Sequence, residues 1–130
     1  MNTNYFLNLV AKNVYTIANA PALPKKLYLG LSSTAPNADG ENVTEPTGGN
    51  YARVELKNLG EPTNGVIKNT GTLSFPRSSS AWGQVTHYTV YDALVNGNLL
   101  QYGELEEATS IVKNANLIFE PNTITLSVAN

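Results

Sequence analysis

From Leu27 onward, apolar residues in this chain recur at every second position in short runs, most of them separated by stretches that contain Asn, Gly or Pro. A period of two places side chains alternately on the two faces of a strand, so it selects half-buried β-structure over helix. Leu27, Leu29 and Leu31 share one face of the first run, with Tyr28 and Gly30 on the other. Ala52, Val54 and Leu56 alternate with Tyr51, Arg53 and Glu55 in a run over 51–57. Short strands are expected over 66–68 and 72–75, the first after the turn pair Asn64-Gly65 and the second stopped by Pro76. The strongest run is 84–92, with Val85, His87, Thr89 and Tyr91 on one face and Thr86, Tyr88, Val90 and Asp92 on the other. Asn96-Gly97 then predicts a hairpin into 99–103, and further strands follow over 110–112, 115–119 and 123–128. In the last of these Ile124, Leu126 and Val128 face one way, and Glu120-Pro121-Asn122 is the turn before it.

Only the N-terminus reads differently. Phe6, Leu9, Val10 and Val14 fall on one helical stripe, predicting a helix over 4–18 with Asn2 or Thr3 as N-cap. Pro21 and Pro24 forbid its continuation. The expected fold is therefore mainly β. It is an antiparallel β-sandwich, jelly-roll or immunoglobulin-like, of about seven to eight strands with a short N-terminal α-helix. A single domain over 1–130 is expected, with a helical segment over 1–20 and the sandwich over 25–130. Residues 32–50 form a loop longer than ordinary connections, which marks it as functional or mobile.

Composition narrows the function. The 130 residues include no Cys and one His. Thiolate metal sites, thiol nucleophiles and iron–sulfur clusters are therefore excluded. A net charge of −2 with 14% charged residues gives no basic face for nucleic acid. No apolar run is long enough to span a bilayer. Met1–Val10 has no basic residue before its apolar stretch, and Lys12 follows it, the reverse of a secretory signal. Synthesis without Sec export is expected, and the sequon Asn42-Val43-Thr44 is expected to stay unmodified. Asn, Thr and Ser together supply 38 of the 130 residues, a polar surface of the kind common on β-rich extracellular or virion proteins.

No catalytic constellation emerges, and no catalytic, metal or cofactor residue is assigned. His87 sits mid-strand without a nucleophile motif and reads as a hydrogen-bonded strand residue. Asp39, Glu41 and Glu45 cluster in the long loop but match no calcium-loop spacing. Glu104, Glu106 and Glu107 read as a solvated turn after a strand, and nothing selects a glycosidase pair among the carboxylates. The tyrosines lie in expected strands, and Trp82 reads as core or rim rather than a sugar platform. Arg53 is expected to pair with a loop carboxylate such as Asp39, Glu41 or Asp92.

The ordered motifs carry a resemblance. Leu27–Leu31 is followed by Thr34-Ala35-Pro36, then Gly48-Gly49-Asn50-Tyr51-Ala52-Arg53-Val54. Phe75-Pro76, Ala81–Tyr88, Tyr91-Asp92-Ala93, Gly97–Leu100, Tyr102-Gly103 and Ile124–Leu126 complete the set. Over nearly its whole length the chain resembles small tailed-phage and prophage proteins commonly labelled phage tail fibre proteins. The segment up to Pro24 and the Lys25-Lys26 pair depart from that pattern. The resemblance implies a non-enzymatic bacteriophage virion structural protein, in a fibre, a neck or baseplate, or a capsid decoration. It implies a place on the virion after synthesis in the host cytoplasm. The expected partners are other virion proteins and further copies of the chain, a trimer among the arrangements. Nucleic acid and membrane are not expected. Tyr51, Arg53, Trp82, Gly83 and His87 form the scaffold or interface signature. The alternative is a carbohydrate- or receptor-binding β-sandwich module using aromatic faces and the 32–50 loop, with a host surface glycan as ligand.

Overall fold

A computed structural model describes residues 1–128. Helix α1 (Asn4–Val14) precedes eight strands. These are β1 (Leu27–Ser32), β2 (Val54–Leu56), β3 (Val66–Lys68) and β4 (Leu73–Ser74), then β5 (Gly83–Tyr91), β6 (Leu99–Ile111), β7 (Ile118–Phe119) and β8 (Thr125–Ser127). β2-β1-β5-β6 make a four-stranded antiparallel sheet, while β3–β8 and β4–β7 form two antiparallel ribbons. The large sheet gives Leu29, Leu31, Val85, Val90 and Ile111 to one core. The ribbons and their flanks contribute Leu73, Phe75, Ile124 and Leu126 to it. The molecule is thus the expected mainly β sandwich, its second layer divided into two ribbons.

The asparagines explain how so many short strands connect. Among the described residues, eight of the nine non-glycine residues with positive φ are Asn. Asn tolerates the left-handed region because its short polar side chain bonds locally. At Asn64-Gly65 and Asn96-Gly97 both residues take positive φ, as a tight hairpin turn with matching twist requires.

The helix is shorter than its stripe predicts, ending at Val14 rather than 18. Asn13 turns its amide onto Leu9 O and Pro21 O, and Thr16 has φ +54, outside the right-handed helical region. Thr3 is the N-cap, accepting from Phe6 N at 3.2 Å. Of the expected stripe only Leu9 is buried, and Val14 points into solvent. The residues before the helix matter more. Thr3 N donates to Leu100 O, Tyr102 N donates to Met1 O, and Asn2 bridges Gln101. The chain start therefore covers part of the free edge of β6, one way an edge strand is protected.

Two strand expectations are corrected by register. Thr109 stands opposite Val85, but Glu104 stands opposite His87. Residues 105–108 thus face Thr86 alone, a bulge carried by β6 at that step. Val85 and Val90 both enter the core, although strict alternation puts them on opposite faces. Glu104, Glu106 and Glu107 lie within the 13-residue strand β6 rather than in a turn, and 99–103 and 110–111 of the two expected strands are its ends. Two other strands are trimmed: β2 covers only 54–56 of 51–57, and β7 only 118–119 of 115–119.

Candidate functional site

The long loop after β1 is tied down by its own side chains. Ser32 Oγ accepts from Thr44 N, Thr34 Oγ1 donates to Asn42 O at 2.6 Å, and Asn42 Nδ2 donates to Ala35 O at 2.7 Å. This folding delivers Glu45, half-buried, against Tyr51 and Arg53. Its carboxylate accepts from Arg53 Nη2 at 2.6 Å and Nε at 3.1 Å, and from Tyr51 OH at 2.6 Å. Tyr51 OH in turn accepts from Leu31 N at 3.0 Å, joining the loop to β1. Burial, then the Glu45 hydrogen bond and charge, push the Tyr51 hydroxyl far above its ordinary pKa.

Arg53 is occupied on every side. Nη1 donates to Ala93 O at 2.8 Å and Asn96 O at 2.7 Å, holding the β5–β6 hairpin tip. Its guanidinium carbon lies 3.6 Å from the centroid of the Tyr91 ring, a cation–π contact. Two of the expected partners of Arg53 are engaged elsewhere. Asp92 accepts from the Asn98 backbone and side chain, and Asp39 accepts from Asn4. Glu45 wins because the loop knotted by Ser32 and Thr34 points it inward.

Trp82 joins the same cluster from beneath. It is 9% exposed, meets Tyr51 edge-on at 5.2 Å, and donates from Nε1 to Gly49 O at 2.8 Å. A Cβ on Gly49 would come within 2.9 Å of the Trp82 ring, and Gly49 has φ +57, so only glycine suits this seat. Gly83 also has positive φ and turns the chain from Trp82 into β5. His87 is half-buried on β5, its Nδ1 2.7 Å from Thr86 Oγ1, away from the Arg53 cluster. Of the five signature residues, the fold brings Tyr51, Arg53 and Trp82 together around Glu45, and Gly83 adjoins them.

Beside this cluster lies a groove of about 400 Å³, lined by Pro46, Thr47, Ala52 and the hairpin tip Leu94–Asn96. Leu94 and Val95 are exposed on its rim. The other loop carboxylates do not converge. Asn37 Oδ1 accepts from the backbones of Asp39 and Glu41, closing a tight turn over 37–41. No group of three His, Cys, Asp or Glu among the described residues could hold a metal ion. No helix among them is long and apolar enough to cross a membrane.

Two buried polar hubs carry no signal in the sequence. Asn69 is fully buried: Nδ2 donates to Gly71 O and Glu120 O, and Oδ1 accepts from Thr123 N and Ile124 N. Ser78, in the segment between β4 and β5, donates to Val112 O at 2.6 Å and accepts from Ala115 N. Both tie distant segments by side chain-to-backbone bonds, which have no sequence period.

The fold and its centre define a β-sandwich module whose charged and aromatic cluster fastens loops to the sheet. The chain belongs to the family of the podophage GP4 fiber I protein gp80, whose model matches residues 2–127. It is therefore a phage fibre-type protein. No curated protein sequence matches it.

Proposed function

We propose that the chain is a non-enzymatic structural subunit of a bacteriophage virion, made in the host cytoplasm, that acts by protein–protein assembly in a fibre, with its own copies and other virion proteins. The observation that carries this reading is the match to a podophage fibre family over residues 2–127. The use of the polar centre supports it. Arg53, Glu45 and Tyr51 are engaged with one another and with backbone, as residues that fix a shape are. Tyr51, Arg53, Trp82 and Gly83 then act as scaffold for the hairpin tip and the long loop, and His87 as a strand residue. Closed symmetry is the general expectation for repeated subunits, and a homotrimer is the arrangement we favour.

Mass spectrometry of purified particles tests the reading. The chain is expected among the virion proteins, and its absence from intact particles overturns the proposal. The carbohydrate-binding alternative loses its aromatic platform at Trp82, which lies in the core with its indole N–H donated to Gly49.

A further inference from the structure

The first 14 residues are attached to the β-body in an unusual way. Met1–Thr3 run along β6 by main-chain hydrogen bonds to Leu100 and Tyr102. Asn4 continues the contact, donating from its backbone to Ala38 O and from its side chain to Asp39. Asn2, Thr3 and Leu9 are buried by this docking. Main-chain pairing at a sheet edge depends on the edge and not on which chain supplies the added strand.

The link from this arm to β1 is unlike its anchor. Nearly all of residues 15–26 are exposed. Their backbone bonds close on the arm itself: Tyr15 to Ala11, Ile17 to Lys12, Ala20 to Ile17. Pro21 and Pro24 stiffen the segment. Asn13 Nδ2 also holds Pro21 O, so only residues 22–26 are left to extend, over about 17 Å, and two copies exchanging arms must meet at the link. The link also carries apolar side chains that its own body does not cover. Val14, Tyr15, Ile17 and Leu23 are 64%, 74%, 54% and 51% exposed. Four large apolar side chains exposed between residues 14 and 23 are a liability in a lone subunit.

We infer that the N-terminal arm is exchanged between copies of this chain, Met1–Thr3 of one copy lying along β6 of the next. Exchange keeps every bond of the docked arm and adds a new contact where the links of two copies meet. That contact is where Val14, Tyr15, Ile17 and Leu23 stand, so the second copy covers them. Domain swapping is a low-cost route to assembly because the exchanged interface already exists within one chain. The inference rests on the self-assembly proposed above.

The absence of native cysteine makes the test clean. Asn4→Cys and Asp39→Cys are introduced on separate, differently tagged full-length chains, which are co-expressed and oxidised. The two side chains touch at 3.0 Å and both are exposed, so the fold tolerates the changes. The expected result is a disulfide-linked species carrying both tags on a denaturing gel. A double variant in one chain should likewise yield cross-linked multimers. If the double variant closes within single chains while light scattering reports an oligomer, arm exchange is wrong and self-assembly stands. If light scattering reports only monomer, self-assembly fails and the exchange with it. The pair Asn2→Cys and Gln101→Cys, facing each other across the edge, gives the same readout at a second position. Ile17→Ser with Tyr15→Ser should weaken association at least tenfold without lowering the helix content.

Discussion

Arg53 and Glu45 face each other in a two-point ion pair, Nη2 to Oε1 at 2.6 Å and Nε to Oε2 at 3.1 Å, with the arginine side chain only 6% exposed. The pair joins the end of the long loop to the strand entering β2, and through Ala93 O and Asn96 O it reaches the hairpin tip. Removing one partner leaves either a carboxylate that is 25% exposed or a guanidinium held only by two carbonyls and the Tyr91 ring, which costs about 1–3 kcal/mol. Arg53→Ala and Glu45→Ala should each lower stability by about that amount in urea melts. Arg53→Lys should recover little of it. A lysine ammonium cannot reproduce the planar fork that reaches a carboxylate and two carbonyls at once. A lysine variant as stable as the parent would show that simple charge, not geometry, holds the loops.

Asn69 offers a sharper test of a buried amide. Its Nδ2 faces two carbonyls and its Oδ1 faces two backbone N–H groups, so all four contacts depend on the orientation of the amide. Asn69→Asp keeps the size and turns the donating end into an acceptor opposite Gly71 O and Glu120 O. Leaving such groups buried and mismatched costs about 1–3 kcal/mol each. Asn69→Asp should therefore be less stable than the parent by several kcal/mol at pH 7. It should regain part of that loss in acid, where a protonated carboxyl can again donate. Melts at pH 7 and pH 4, each against the parent, check both statements.

These two centres differ in how legible they were. Leu29 and Leu31 follow strict alternation through β1 and are found fully buried, because β1 pairs both neighbours without a shift. The same reasoning fails on β5, where Val85 and Val90 are both in the core and the pairing with β6 shifts between them. A bulge is a relation between two strands, so alternation within one strand cannot reveal it. Arg53 stood out by its motif, yet its partner did not. Asp39, Glu41, Glu45 and Asp92 were all available carboxylates, and the choice depends on how Ser32 and Thr34 fold the loop. Asn69 and Ser78 had no pattern, since one side chain bonding distant backbone leaves no trace in spacing. The helix stripe was legible through Leu9 but overran at Val14, where the side chain of Asn13 and the left-handed Thr16 end the helix.

Gly103 should be irreplaceable for a packing reason. It stands directly opposite Tyr88 in the β5–β6 ladder, and a Cβ there would run into the Tyr88 ring. The ring is held from its far end by the bond from Tyr88 OH to Thr125 O at 3.2 Å, so it cannot swing aside without a loss. Overpacking of this kind costs about 1–3 kcal/mol. Gly103→Ala should lose that amount in thermal or urea melts, and Gly103→Ala combined with Tyr88→Ala should lose less than the sum of the single changes. Strict additivity would show that the ring and the glycine are not coupled.

Thr89 supplies a change expected to do no harm. Its side chain is fully buried, and Oγ1 is without a hydrogen-bond partner among the described residues. The same oxygen lies 2.7 Å from where a Cβ on Gly30 would stand. Thr89→Val exchanges the hydroxyl for a methyl of similar size and removes an unsatisfied polar atom. Stability should stay level or rise by about 1 kcal/mol. Gly30→Ala, placed against the same atoms, should destabilise. A clear loss in Thr89→Val would mean that the hydroxyl is satisfied in solution.

Alkaline pH should unfold the molecule through its buried tyrosines. Burial pushes the hydroxyls of Tyr51, Tyr88 and Tyr91 above their ordinary value of 10.0, and for Tyr51 the Glu45 carboxylate adds to the effect. A group whose pKa is raised on folding holds its proton more tightly in the native state. Its stabilising contribution is complete below pH 10 and is lost as pH rises beyond it, because the unfolded chain then gives up protons that the folded chain retains. Urea midpoints should therefore change little in this respect from pH 7 to 9 and fall steeply above about pH 10. Tyr51→Phe separates the contributions. It removes the oxygen that bridges Leu31 N and Glu45, so it should cost about 1–2 kcal/mol at pH 7. It should also flatten the alkaline slope, since the strongest raised group is gone. An unchanged slope in Tyr51→Phe would assign the alkaline loss to Tyr88 and Tyr91 instead.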